Sequence, residues 1–337
     1  MFKLKMKTII LKLFGLISLA FVSSFPFDDW RENIIEINDE LLSKPYFYEH
    51  KDYVDCVNWN DSTFKLEMNK FAAYKNSDFK NLYQGMYYKN KVQNEKNVPN
   101  FPLVSPSTID WRDTKLVVPI KDQAQCGSCW AFSAVSSLEG QVAKVLGNSV
   151  SLSEQEMVDC VKDVKSPDGT QSCCYGCNGG EMYSVYQYLN NKEDDTETQY
   201  SYTAKDGDCN LKPSNLSNVV VKDYVSLPSR DEETLMKAVS SQGPISVGVD
   251  ANLDWQLYHS GIYNPKESPS GCSSDISEQD HGVSVVGYGF ENQTEYWIVR
   301  NSWGKTWGEE GYMRLVKGQN ACGIANSAIY PIVKNMN

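Results

Sequence analysis

Between residues 128 and 146, apolar side chains recur at Ala131, Val135, Leu138, Val142 and Leu146, mostly four apart. That spacing predicts a largely buried α-helix around which the rest of the chain must build a core. It also places Cys129 in the first turn, where unpaired backbone N–H groups and the helix macrodipole favour an anion and lower a thiol pKa. Gln123 lies six residues earlier. Its side-chain N–H donors, together with the Cys129 backbone N–H, could hold an oxyanion. A thiol of ordinary pKa is mostly protonated in acid, so a nucleophilic Cys129 needs a base as well. Of the three histidines, His50 and His259 stand in no constellation. His281 opens the apolar run 283–286, which reads as a buried strand able to hold an imidazole rigidly. Asn301 follows a second strand-like run, 296–300, and its amide oxygen could fix the imidazole tautomer.

These residues sit inside longer strings. Cys126-Gly127-Ser128-Cys129-Trp130 matches the local signature of the papain and cathepsin proteases. The resemblance continues through Leu152 to Cys160, Gly176-Cys177-Asn178-Gly179-Gly180, Asp280-His281-Gly282, Asn301-Ser302-Trp303-Gly304 and Trp307-Gly308. In order and spacing the chain from about residue 105 onward resembles the cathepsin L group. The resemblance implies an α+β, papain-like fold: a helical lobe and a β-barrel-like lobe with the active-site cleft between them. It implies a cysteine endopeptidase in which the Cys129 thiolate forms an acyl-enzyme, His281 acts as general base and acid, and Asn301 orients it. Gln123 then serves the oxyanion, and Trp303 covers the His281–Asn301 hydrogen bond from water. Gly179 and Gly180 are expected to pair with substrate backbone as a short antiparallel strand. The S2 pocket maps onto Met182, Gly248, Gln279, Gly282 and Ser327, which favours an apolar P2 side chain, broadened by the polar Gln279 and Ser327. Implied disulfides are Cys126–Cys177, Cys160–Cys209 and Cys272–Cys322. Cys129 is then free, and Cys56, Cys173 and Cys174 are extra. Protein and peptide substrates, inhibition by its own propeptide, cystatin-type inhibitors and a monomeric state follow from the same resemblance.

The first 24 residues combine Lys3, Lys5, Lys7 and Lys12 with the apolar run 13–22, the pattern of a signal peptide too short to anchor in a membrane. A secretory route is therefore expected, ending in a lysosome or vacuole or outside the cell. The sequons at Asn60, Asn215 and Asn292 fit that route. Residues 25–104 resemble the inhibitory propeptide of the cathepsin L group, whose chain crosses the cleft in the sense opposite to substrate. The match is shortened before Trp30, and Glu67 and Ala73 replace a glycine and an aspartate of the family motif. Residues 89–108 hold Pro99, Pro102 and Pro106 and read as an extended, cleavable linker, with activation expected near residues 103–107. Residues 105–337 form the mature peptidase domain.

Net charge is −11 with 43 Asp+Glu against 32 Lys+Arg, which argues against nucleic acid as a ligand. The acidic runs 193–195 and 231–233 read as solvated faces. Mild acid is expected to activate, by protonating carboxylates that tie the propeptide to the lobes. No cofactor or metal is expected. Two alternatives stay open from the residues alone: a four-thiolate zinc site from Cys126, Cys129, Cys174 and Cys177, and a non-catalytic binding or storage protein on the same fold.

Overall fold

A computed structural model describes residues 27–32, 43–86, 95–103, 105–162, 164–165, 172–211 and 219–336. The signal-like segment 1–24 and the sequon at Asn215 lie outside them. Among the described residues no helix is long and apolar enough to cross a membrane.

The N-terminal part supplies α1 (Phe27–Glu32), α2 (Lys44–Trp59), β1 (Phe64–Leu66) and α3 (Asn76–Tyr83). Next come β2 (Ile109–Asp110), α4 (Cys129–Leu146), α5 (Glu154–Cys160), the short pair β3 (Val164–Lys165) and β4 (Ser172–Cys173), and α6 (Met182–Tyr188). The second half is strand-rich: β5 (Val219–Ser226), α7 (Glu232–Gln242), β6 (Ile245–Val249), α8 (Leu253–Leu257), β7 (Tyr258–Tyr263), β8 (His281–Glu291), β9 (Thr294–Arg300), β10 (Tyr312–Val316) and β11 (Ile329–Asn335).

The main sheet runs β1-β7-β10-β9-β8-β6-β11-β5, with β2 added to β8. All its pairings are antiparallel except β7 with β10. β8 extends beyond the expected 283–286 because it forms a hairpin with β9. The two-residue turn between them, Asn292 and Gln293, has positive φ at both positions (48° and 67°), the geometry that matches strand twist.

Two large apolar clusters result. One gathers α4 to α6 with parts of β5 and β11; the other gathers the barrel strands with the side chains of α2, β1 and α3. The fold is thus α+β, with a helical core and a β core. α4 is buried along most of its length and closes at Gly147, whose φ of 75° suits a glycine C-cap. Ser153 caps α5 by accepting from the Glu156 N–H.

Cys126–Cys177, Cys160–Cys209 and Cys272–Cys322 are bonded, and each closes a loop of about 50 residues. Loops of that length correspond to about 4 kcal/mol of lost unfolded-state entropy apiece. Cys173 is bonded to Cys174, so Cys126, Cys174 and Cys177 are all committed to bridges and do not gather around a zinc ion with Cys129. The expected acidic faces are corrected in part: of the acids in these two runs, Glu233 alone is exposed as expected. Asp194 and Asp195 are each 2% exposed, and Asp195 N–H donates to Glu156 Oε2 at 2.7 Å. Asp231 caps α7 through the Thr234 N–H, while Glu232 accepts from Trp297 Nε1 and the Asn320 N–H. Asp194 and Asp195 are buried beside Glu156, and Asp231 and Glu232 accept from donors around them, which a charge count along the chain does not reveal.

Candidate active site

Cys129 is the first residue of α4, and the loop before it is pinned by the Cys126–Cys177 bond and by Gly127 N–H donating to Cys177 O at 2.8 Å. From β8 the Gly282 backbone packs against this helix start. A side chain at Gly282 would come within 3.0 Å of Cys129 O, so glycine permits the close approach. The residue before it, His281, is fully buried and its Nε2 hydrogen-bonds Asn301 Oδ1 at 2.8 Å. Asn301 Oδ1 also accepts from the Ser302 N–H at 2.8 Å, which fixes the amide orientation and makes the imidazole Nε2 the protonated nitrogen. Nδ1 is left to take a proton. The Trp303 indole stacks on His281 with ring centroids 4.6 Å apart and planes 25° apart, shielding the His281–Asn301 bond. The structure therefore brings His281, Asn301 and Trp303 together, with Gly282 linking them to Cys129.

Gln123 is buried. Its Nε2 donates to Cys126 O (2.8 Å) and Tyr83 O (3.0 Å), and its Oε1 accepts from Ser302 Oγ. The second acceptor belongs to the N-terminal segment. From the last residue of α3 that segment crosses the site as an extended strap, residues 83–86. Tyr83 O also accepts from Trp303 Nε1 at 3.2 Å, Gly85 O accepts from Gly180 N–H at 2.8 Å, and Met86 N–H donates to Asp280 O at 3.1 Å. Met86 bridges Gly180 in parallel, the sense opposite to an antiparallel substrate strand. Gly179, with φ of 113°, turns the chain into this edge.

Met86 also reports on the S2-mapped residues. A Cβ on Gly248 would lie 2.4 Å from the Met86 terminal methyl and 2.8 Å from Ser327 Oγ, so Met86 fills the space that Gly248 leaves open. Met182 is buried in the same apolar cluster. Gln279 is otherwise engaged: its Nε2 donates to Gly248 O and Gly323 O, and its Oε1 accepts from Ser327 Oγ. With the strap in place, the polar atoms of Gln279 and Ser327 are engaged with each other and with the backbone.

Burial, to which the strap adds, sets the electrostatics. It pushes the Cys129 thiol up to about 12, against the pull of the Gly282, Gly85 and Trp130 backbone N–H groups. It lowers His281 to about 4, with Asn301 raising it and Lys80 lowering it further. Thiol and imidazole are both neutral in this state. Sequence reasoning missed Lys80, whose Nζ lies 2.5 Å from Asp280 and 3.6 Å from Asp250 and so ties α3 to the residue before the imidazole. Desolvation raises Asp280 to about 6 despite that pairing. It missed equally the buried ion cluster of Lys121 with Glu139 and Glu154, which Arg300 joins through Glu139. The signal for the cluster was Glu139, the one acid in the buried helix α4.

Residues 105–332 match the family described as papain family cysteine protease. The chain is 39% identical over 320 residues to "Cathepsin L-like" of Caenorhabditis elegans, covering 91% of this chain and 90% of that one. It is 44% identical over 283 residues to "Procathepsin L" of Rattus norvegicus, covering 80% and 78%. Among solved structures, the recombinant stem bromelain precursor superposes with a TM-score of 0.77 at 31% identity, covering 90% of this chain and 97% of that one. Digestive procathepsin L 3 of Tenebrio molitor larval midgut superposes with 0.71 at 34%, covering 85% and 90%. The chain belongs to the papain family of cysteine proteases.

Proposed function

We propose that Cys129 is the nucleophile, His281 the general base and acid, Asn301 its orienting residue, and Gln123 with the Cys129 N–H the oxyanion donors, of a zymogen whose strap must leave before peptide bonds are cut. The protein is a cysteine-type endopeptidase made as a zymogen. The observation that carries the residue roles is the shielded His281–Asn301 bond beside the N-terminus of α4. With the strap gone, water and the helix dipole stabilise a thiolate, and His281 regains its ordinary affinity for a proton. The thiolate sulfur then bonds to the scissile carbonyl carbon, and the oxyanion is met by the Gln123 amide and the Cys129 N–H. The imidazolium gives its proton to the leaving amine, water deacylates the enzyme with His281 as base, and the thiol is restored.

Met86 against Gly248 and Ser327 supports a preference for Leu, Val or Phe at P2. Substrates with Asp or Lys there, cleaved equally well, would defeat that preference. Leu103 is 94% exposed, which supports activation within residues 103–107 and a mature domain from about 105; N-terminal sequencing of the processed protein places the cut. Asn60 and Asn292 are exposed and open to glycosylation. A secretory signal in residues 1–24, a lysosomal, vacuolar or extracellular destination, cystatin-type inhibition and a monomeric state belong to the same reading. Its central test is hydrolysis of a Leu-Arg or Phe-Arg fluorogenic amide at about pH 5 in reductant, with and without the thiol-trapping epoxide E-64. Turnover abolished by the epoxide, with label on Cys129, is expected. A folded, processed protein that neither cleaves nor takes label would favour a non-catalytic binding role.

A further inference from the structure

A small, partly open cavity lies against Asn301, lined among others by Ser136 of α4, Ser284 of β8, Arg300, Ser302 and Glu154. It offers about 10 Å³ of room for the centre of a water molecule, close to what a single buried water occupies. Its walls set polar groups from both lobes among apolar surface such as Phe132 and Val283. Asn301 is 3% exposed, and its Oδ1 is committed to His281 Nε2 and the Ser302 N–H. Its Nδ2, by contrast, has no hydrogen-bond partner among the described residues. A buried amide donor left without an acceptor is costly, and native proteins meet such groups with ordered water. The serine hydroxyls and the Glu154 carboxylate supply acceptors for the hydrogens of a water placed there. Arg300 Nη1, 3.2 Å from Ser136 Oγ, orients that hydroxyl.

We propose that the cavity binds one water molecule, which accepts from Asn301 Nδ2 and donates to the surrounding oxygens, and so holds the amide with its oxygen toward His281. Ser136 and Ser284 then border this water, and the residue it positions is Asn301. The inference deepens the reading of Asn301 as the residue that orients the imidazole, and rests on it.

Two measurements test it. In a high-resolution crystal structure of the full chain, an ordered water within hydrogen-bonding distance of Asn301 Nδ2 is expected, and its absence from clear density overturns the proposal. In the activated enzyme, Ser284→Val fills the cavity while Ser284→Ala leaves it open. Ser284→Val should lower kcat about tenfold with KM unchanged within about twofold, and shift the acid limb of the pH profile, while Ser284→Ala stays near the parent. A parent-like Ser284→Val, or equal losses in both variants, overturns the water's role. Should Ser284→Val fail to fold, Ser136→Val displaces the same water and is read against Ser136→Ala in the same way. Asn301→Ala with unchanged kcat would instead sink the reading of Asn301 itself, a failure distinct from loss of the water.

Discussion

The N-terminal segment holds the enzyme in two physically different ways. Its docked body, from α2 to α3, works through side chains. Phe64 packs edge-on to Tyr263, Phe71 and Phe79 lie 5.8 and 5.0 Å from Trp303, and β1 adds to β7. The strap, residues 83–86, works mostly through backbone: its carbonyls and N–H groups pair with Gln123, Gly180 and Asp280, and Gly85 presses on Gly127. The body supplies affinity by removing aromatic surface from water, about 1.5–3 kcal/mol per large side chain. The strap supplies latency, by taking water away from a thiol and an imidazole that need it in order to ionise. Affinity and latency should therefore be separable by mutation.

The largest expected effect is on the strap. Any side chain at position 85 would place a Cβ 1.9 Å from Gly127 O, so Gly85→Ala cannot seat there. Freed from burial, a thiol held at about 12 should return toward its ordinary 9, raising the thiolate fraction near neutrality about 1000-fold. Alkylation of Cys129 by iodoacetamide in the uncut chain reads this directly; a rate equal to that of the parent would break the comparison. The melting temperature should move little.

Phe71→Ala attacks the body instead. It should cost about 3–5 kcal/mol of docking, measured by titrating the isolated segment against the mature enzyme. Loss of latency without loss of affinity in this variant would mean that body and strap cannot be told apart.

Acid release comes next, and the imidazole of His281 is one group that can drive it. Its pKa falls from 6.5 to about 4 under the strap, so its contribution to docking is fully present above 6.5 and is lost as pH falls from 6.5 toward 4, on the order of 3 kcal/mol. In a Cys129→Ala background, which prevents self-cleavage, His281→Gln should flatten the acid-induced dissociation of the segment in that window. An unchanged pH profile would assign the trigger elsewhere.

The smallest effect sharpens the picture of the body. Tyr53 donates to Asp254 at 2.6 Å, and Asp254 also accepts from Tyr263 at 2.7 Å. Tyr53→Phe should cost about 1 kcal/mol of docking, because Tyr263 still satisfies the carboxylate. A cost of several kcal/mol would show that the body relies on polar anchors as much as on aromatic ones.

Much of the site was legible because local chemistry left local marks. The four-residue apolar period placed Cys129 at a helix start, and the apolar run after His281 placed the imidazole on a strand. What stayed hidden depends on partners far apart in the chain. Lys80 meets Asp280 across 200 residues, and nothing near either residue announces the other. Asp194 and Asp195 look like surface charge until folding buries them beside Glu156. Glu67, a departure from the family motif, meets His259 with Oε2 3.0 Å from Nδ1, which gives the substitution a partner that inspection of the motif alone could not supply.

Trp303 belongs to both arrangements at once. The indole that stacks on His281 also meets Phe71 and Phe79 edge-on, and its N–H meets the strap at Tyr83. Selection therefore cannot relax this tryptophan on one account while keeping it on the other. A lineage that changed it would lose its safety catch in the same step as its working parts, so a premature, fully active enzyme is the one product that mutation at this position does not readily make.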